Sequence, residues 1–248
     1  MSNSGSRATR PRHLLSSVFT VAALVAATLA VTAAPAQAAT TPGIDVSHYQ
    51  GAINWTSVRN AGIQWAYIKA TEGTTFKDSR FNTNYPAAHG AGVIRGAYHF
   101  ARPAASSGAA QANYFASNGG AWSRDNLTLP GALDLEAGCH GLSQSGMVAW
   151  IRDFLNTYRA RTGRHAVIYT TTSWWSSCTG NYSGFASTSP LWIARWASAP
   201  GALPAGWGFY TMWQYTSTGS VPGISGAVDR DWFNGARDRL LALANNTA

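Results

Sequence analysis

The sequence predicts an α/β fold: a single modified TIM-type barrel of five β/α units plus three further strands, (β/α)5(β)3. Three observations lead there. From about residue 43 onward, short β-type runs alternate with helix-length segments, the pattern of parallel strands joined by right-handed crossovers. Setting aside an amino-terminal address segment leaves about 210 of the 248 residues, within the range of a one-domain barrel. Eight candidate strands are the number that closes such a sheet, and several of them carry acids at their ends.

The address segment comes first. Arg7, Arg10 and Arg12 make a basic start without acids, an apolar run follows from Leu14 to Ala34, and Ala36-Gln37-Ala38 is a small-x-small cleavage pattern. A run of this length could also span a bilayer. The cleavage pattern directly after it, and the lack of a second apolar stretch, favour a secretory signal peptide over residues 1–38. The barrel is then expected over 39–248, extracellular, with no membrane anchor after processing. Hydrophobic residues make up 46% of the chain and charged ones only 11%, which excludes a disordered polar chain. Three of the 18 basic residues and none of the ten acids fall in 1–38, so the remainder carries +5. That charge suits approach to an anionic surface. The arginines are scattered and form no dense patch or recognisable module, so nucleic acid is not an expected partner.

Strands are expected at 43–47, 65–70, 94–100, 132–136 and 166–171, rich in Ile, Val, Tyr and Ala without strict alternation, as when both faces are covered. Helices are expected between them at 55–61, 80–91, 107–117 and 143–162, with a weaker turn at 173–176. The fourth is the clearest: Met147, Trp150, Ile151, Phe154, Leu155 and Tyr158 recur at helical spacing, and Gly163 stops it. Strands at 191–196, 209–215 and 227–229 follow with connections too short for full helices, and a last helix at 236–244 closes the domain. In an exported chain, Cys139 and Cys178 are expected to pair as a disulfide; with no HExxH and no paired His motif, they make no zinc site.

Acids are few, with two glutamates and eight aspartates in the whole sequence. In Leu133-Asp134-Leu135-Glu136 the two carboxyls lie two residues apart on a strand and so share a face. Two anions side by side raise the pKa of at least one, which suits a general acid near neutral pH. Solvated acids at a surface strand end would show the same pattern. Asp45 ends the first strand and Asp229 ends the last; in an eight-stranded barrel these strands are neighbours, so four acids converge on one rim. That arrangement fits a carboxylate-based hydrolase, which needs neither metal nor cofactor. Trp192, Trp196, Trp213, Tyr98, Tyr169 and Tyr215 lie in or at the ends of expected strands, where they offer either core packing or faces for sugar rings. His48 and His99 could line the cleft, but no serine or cysteine stands in a nucleophile context and no GxSxG occurs.

Six motifs carry a resemblance. Asp45-Val46-Ser47-His48-Tyr49-Gln50-Gly51, the run from Tyr67 to Asp78, Gly96-Ala97-Tyr98-His99-Phe100, Leu133 to Glu136, Leu191-Trp192-Ile193-Ala194, and Trp213 to Ser217 with Val228-Asp229 resemble, in order, glycoside hydrolase family 25, the lysozymes of the Chalaropsis type. The resemblance implies the five-plus-three barrel and hydrolysis of the β-1,4 bond between N-acetylmuramic acid and N-acetylglucosamine in peptidoglycan glycan strands. It makes Glu136 the proton donor and Asp134 the residue that orients the acetamido group, with Asp45 and Asp229 completing an acidic floor. Lys69, Tyr98 and Trp192 fall on cleft positions. Retention can use an enzyme carboxylate or the substrate's own acetamido oxygen as nucleophile, and the resemblance does not decide between them; acetamido assistance is the expected course, and a monomer the expected state. Glu72, inside the strongest motif, is expected to pair with Lys69 or Lys77 rather than to act on substrate. A chitinase-like enzyme would carry a longer run of alternating aspartates before the glutamate, and a pure wall-binding protein would not need these acids.

Overall fold

The computed structural model describes residues 1–8 and 39–247. Residues 1–8 form no helix or strand. The expected apolar run and cleavage site lie outside the described residues, and no helix among the described residues is long and apolar enough to cross a membrane.

Nine strands form one sheet: β1 (Thr41–Val46), β2 (Trp65–Glu72), β3 (Phe76–Lys77), β4 (Ile94–Phe100), β5 (Ala132–Leu135), β6 (Val167–Thr170), β7 (Leu191–Ala194), β8 (Met212–Gly219) and β9 (Val228–Phe233). Their order, β1-β9-β8-β7-β6-β5-β4-β2, closes through a β1–β2 pairing into an eight-stranded barrel, with β3 hairpinned onto β2 outside the ring. Helices α1 (Trp55–Asn60), α2 (Phe81–Gly90), α3 (Gly108–Phe115), α4 (Gln144–Thr162) and α5 (Thr172–Thr179) lie between strands, and α6 (Arg237–Asn245) follows β9.

Alternation along each strand sorts the core into two layers. Ile44, Val46, Ala66, Ile68, Ala97, Leu133, Leu135, Ile168 and Ile193 pack outward against Met147, Ile151, Phe154 and Tyr158 of α4 and the neighbouring helices. Trp65, Tyr67, Ile94, Ala132, Val167, Tyr169, Trp192 and Met212 fill the barrel, and Leu240 and Ala244 of α6 plug its lower mouth. Space for the large rings comes from glycines. A Cβ on Gly96 would strike the Tyr67 ring, and one on Gly43 the Trp65 ring. Helix α4 begins at Ser143, whose hydroxyl accepts from the Gly146 N–H, and ends at Gly163 in the left-handed conformation.

Two expectations are corrected. The sheet is not parallel throughout, because β9 runs antiparallel to both β1 and β8. A hairpin-length connection leaves the chain no crossover with which to return in the parallel sense. Asp229 therefore stands at the start of its strand and not at its end, and Val228–Phe233 is longer than the short strand expected. The reversal keeps Asp229 on the same rim as the carboxyl ends of the other strands.

Candidate active site

That rim holds the cleft. Asp45 and Asp229 sit directly opposite one another across the β1–β9 ladder, while Asp134, on β5, is flanked by Phe100 of β4 and Tyr169 of β6. Glu136 lies just past the end of β5. A cleft of about 390 Å³ is lined by Asp45, Asp134, Glu136 and Asp229 together with Lys69, Tyr98 and Trp192, so the seven residues that the resemblance placed in the site meet in one place. Tyr49 and Trp196, the most exposed aromatic side chains there, also line it. A larger cavity of about 600 Å³ opens at the other end of the barrel, beside α6 and the starts of β7 and β8; its only charged lining residue is Arg239, so it holds no acid chemistry.

Burial and mutual repulsion set the protonation of the acids. Asp45 is raised well above the usual aspartate range by burial, then by Asp231 and Asp229, against a stabilising bond from Gln214. Asp134 is raised by burial and by Glu136, with Lys69 opposing. Glu136 is raised by burial, while Lys69 favours its charged form. Asp229 is pushed up to about 6 by burial and Glu136. An acid near neutrality surrounded by other acids is the arrangement from which general acid catalysis follows.

A polar chain fixes the floor. Gln214 of β8 donates from Nε2 to Asp45 Oδ2 at 2.8 Å, and its Oε1 accepts from the Tyr169 hydroxyl at 3.0 Å and from Trp196 Nε1 at 2.9 Å. Trp192, only 2% exposed, stacks on Tyr67 at 4.8 Å and donates from Nε1 to Asp231 Oδ1 at 2.8 Å. Lys69 reaches Glu72 Oε2 at 2.7 Å, and Arg102 Nε reaches Glu72 Oε1 at 2.8 Å. Glu72 is thus held by Lys69, as expected, and by Arg102 in place of Lys77.

The sequence reading missed Asp231 and Gln214. Asp231 stands two residues after Asp229 and becomes visible once β9 is drawn to its full length, since alternate residues share a face; Gln214 lies inside the motif from Trp213 to Ser217, but the motif does not show that it bonds Asp45. The structure also decides readings the sequence left open, and it shows the expected disulfide. His99 is fully buried outside the barrel, bonded to Thr71 and Gln111 and packed on Phe115 and Phe154, so it does not line the cleft. Burial pulls its pKa down to about 4. His48 turns to Asp78 at 2.7 Å. Trp213 and Tyr215 pack in the outer layer. Cys139 and Cys178 are joined, with Cα atoms 5.1 Å apart, tying the loop after Glu136 to the end of α5.

A closed α/β barrel with clustered carboxyls of raised pKa on its upper rim fits a glycoside hydrolase. The model for glycosyl hydrolases family 25 matches residues 44–224, and the chain belongs to that family. Lysozyme M1 of Streptomyces globisporus is 60% identical over 222 residues, 88% of this chain and 76% of that protein. An N,O-diacetylmuramidase of Chalaropsis sp. is 48% identical over 214 residues, 83% of this chain and 99% of that protein. The crystal structure of a bacterial lysozyme from Streptomyces coelicolor superposes with a TM-score of 0.82 at 62% identity, covering 84% of this chain and 98% of that one.

Proposed function

We propose that the protein is a secreted lysozyme that hydrolyses the β-1,4 bond between N-acetylmuramic acid and N-acetylglucosamine in peptidoglycan. The observation that carries the reading is the meeting of Glu136, Asp134, Asp45 and Asp229 in one cleft. The kinship with proteins named lysozyme and muramidase supports the substrate class. The order of strands and helices supports counting the barrel as five β/α units plus three strands, with β3 an appendage. Residues 1–38 act as the signal peptide, and 39–248 work as a monomer.

Glu136, whose hold on its proton is strengthened by burial, gives that proton to the glycosidic oxygen as the bond to C1 breaks. The substrate's own acetamido oxygen bonds to C1 from the opposite face, and Asp134 orients that group through its N–H. The Glu136 carboxylate then takes a proton from the water that opens the cyclic intermediate, returning the original configuration. Asp45 and Asp229 supply negative potential beneath the developing positive charge at C1. Tyr49 and Trp196 offer faces on which sugar rings stack.

The test is digestion of purified peptidoglycan by residues 39–248 and by the Glu136→Gln variant, with borohydride reduction of new ends and mass spectrometry. Reduced muramic acid ends are expected from the wild type. The variant should be slower by on the order of 10²–10⁴-fold, the usual contribution of a positioned proton donor. Reduced glucosamine ends would mean that the neighbouring bond is cut, and no cleavage by the wild type would leave a wall-binding protein.

A further inference from the structure

Asp231 lies beneath the cleft floor, 1% exposed, yet no step above uses it. Its surroundings are known from each packed strand. In the sheet register it faces Gly43 of β1 and Gln214 of β8. Asp229 precedes it on its own strand, Trp192 of β7 donates to its Oδ1, and Asp45 of β1 is within hydrogen-bond reach. Neither Asp231 nor Asp45 joins an ion pair among the described residues. Lys69, the ammonium in the cleft, is held by Glu72, and the Arg230 guanidinium lies 6.0 Å over the Tyr215 ring.

The donors are unevenly shared. Asp45 Oδ2 receives the Gln214 amide, whereas Asp231 Oδ2 is buried with no partner that donates to it. A carboxylate oxygen left so is costly, and two adjacent buried carboxylates without a cation are costlier still. One proton resolves both: Asp231 Oδ1 serves as the carbonyl oxygen accepting from the indole, and Oδ2 becomes a hydroxyl donating to Asp45.

We propose that Asp231 is a positioning residue that stays protonated at neutral pH and donates its carboxyl hydrogen to Asp45, holding Asp45 as the anion of the cleft floor. Burial and the charge of Asp229 raise Asp231, against the bonds from Trp192 and Asp45, and burial and Asp231 raise Asp45 as well, as two carboxyls sharing one proton require; the orphaned Oδ2 is what places that proton on Asp231. The activity side of the idea rests on the glycosidase reading above; the protonation side does not.

Two arms test it on residues 39–248. In the first, infrared spectra at pH 7 are compared between wild type and Asp231→Asn. A carbonyl band of a protonated carboxylic acid that is present in the wild type and missing from the variant is expected; identical spectra in this region would overturn the proposal. In the second, hydrolysis of soluble glycan fragments is followed against pH. Asp231→Ala should lower kcat at least tenfold with KM changed less than twofold, and Asp231→Asn, which donates the same hydrogen bond without titrating, should recover most of that loss. An Asn variant as slow as the Ala variant would overturn the proposal. Should the wild type cleave no glycan, the function reading fails while the infrared arm still decides the proton. Should Asp231→Ala not fold, the Asn variant and the infrared arm carry the test.

Discussion

At the scale of single residues, the acids that make the cleft reactive work against the fold. Asp229 titrates near 6 in the folded protein and near 3.8 when free, so between those values the folded state binds more protons than the unfolded one. Stability therefore falls as pH rises through that window and stays lower above it. Asp229→Asn removes the penalty: thermal melts should show a higher Tm than wild type at pH 7 and no gain at pH 3.5. A variant equally stabilised at both values would mean that the gain comes from packing and not from charge. The meeting of these acids was legible in the sequence because carboxylates two apart on a strand share a face and the first and last strands of a closed barrel are neighbours, although Asp229 opens its strand and does not end it. The place of His99 was left open because a motif position says nothing of which face it occupies; its neighbours Ala97 and Ala101 belong to the outer layer. Asp231 escaped because its strand was drawn too short.

Elements show where local pattern suffices and where it does not. Helix α4 was readable end to end, since its apolar stripe, Ser143 cap and Gly163 stop all agree. Helix α5 was underestimated as a turn; Trp174, Trp175 and Cys178 bury it, which is tertiary packing overriding weak propensity. The direction of β9 could not be read, because alternation is the same whichever way a strand runs. The Cys139–Cys178 bond spans 39 residues and fastens the loop beyond Glu136. Replacing both cysteines by serine should cost about 3–4 kcal/mol by loop-closure entropy, measured by urea unfolding; a change under 1 kcal/mol would show that the unfolded chain is already constrained. Gly96 belongs to the same scale, since the β2–β4 pairing lets the Tyr67 ring lie across it. Gly96→Ala should cost about 1–3 kcal/mol or more by overpacking, read in the same unfolding experiment.

For the whole molecule, the +5 charge of residues 39–248 is spread along the sequence, so attraction to an anionic wall is diffuse. Retention of the Glu136→Gln variant on purified walls should weaken as salt rises and the screening length shrinks from about 10 Å at 0.1 M to 3 Å at 1 M. Retention unchanged across that range would point to recognition by the cleft alone. The reversed strand β9 has a geometric result as well. Thr41 pairs with Phe233 and its hydroxyl bonds the Gly235 carbonyl at 2.7 Å, so the chain enters the barrel and leaves it at the same pole, with α6 folded beneath. The cleft occupies the opposite pole. A bead, a display anchor or a fused protein attached ahead of β1 or behind α6 would then hold the enzyme by its back, with its open groove turned toward the polymer.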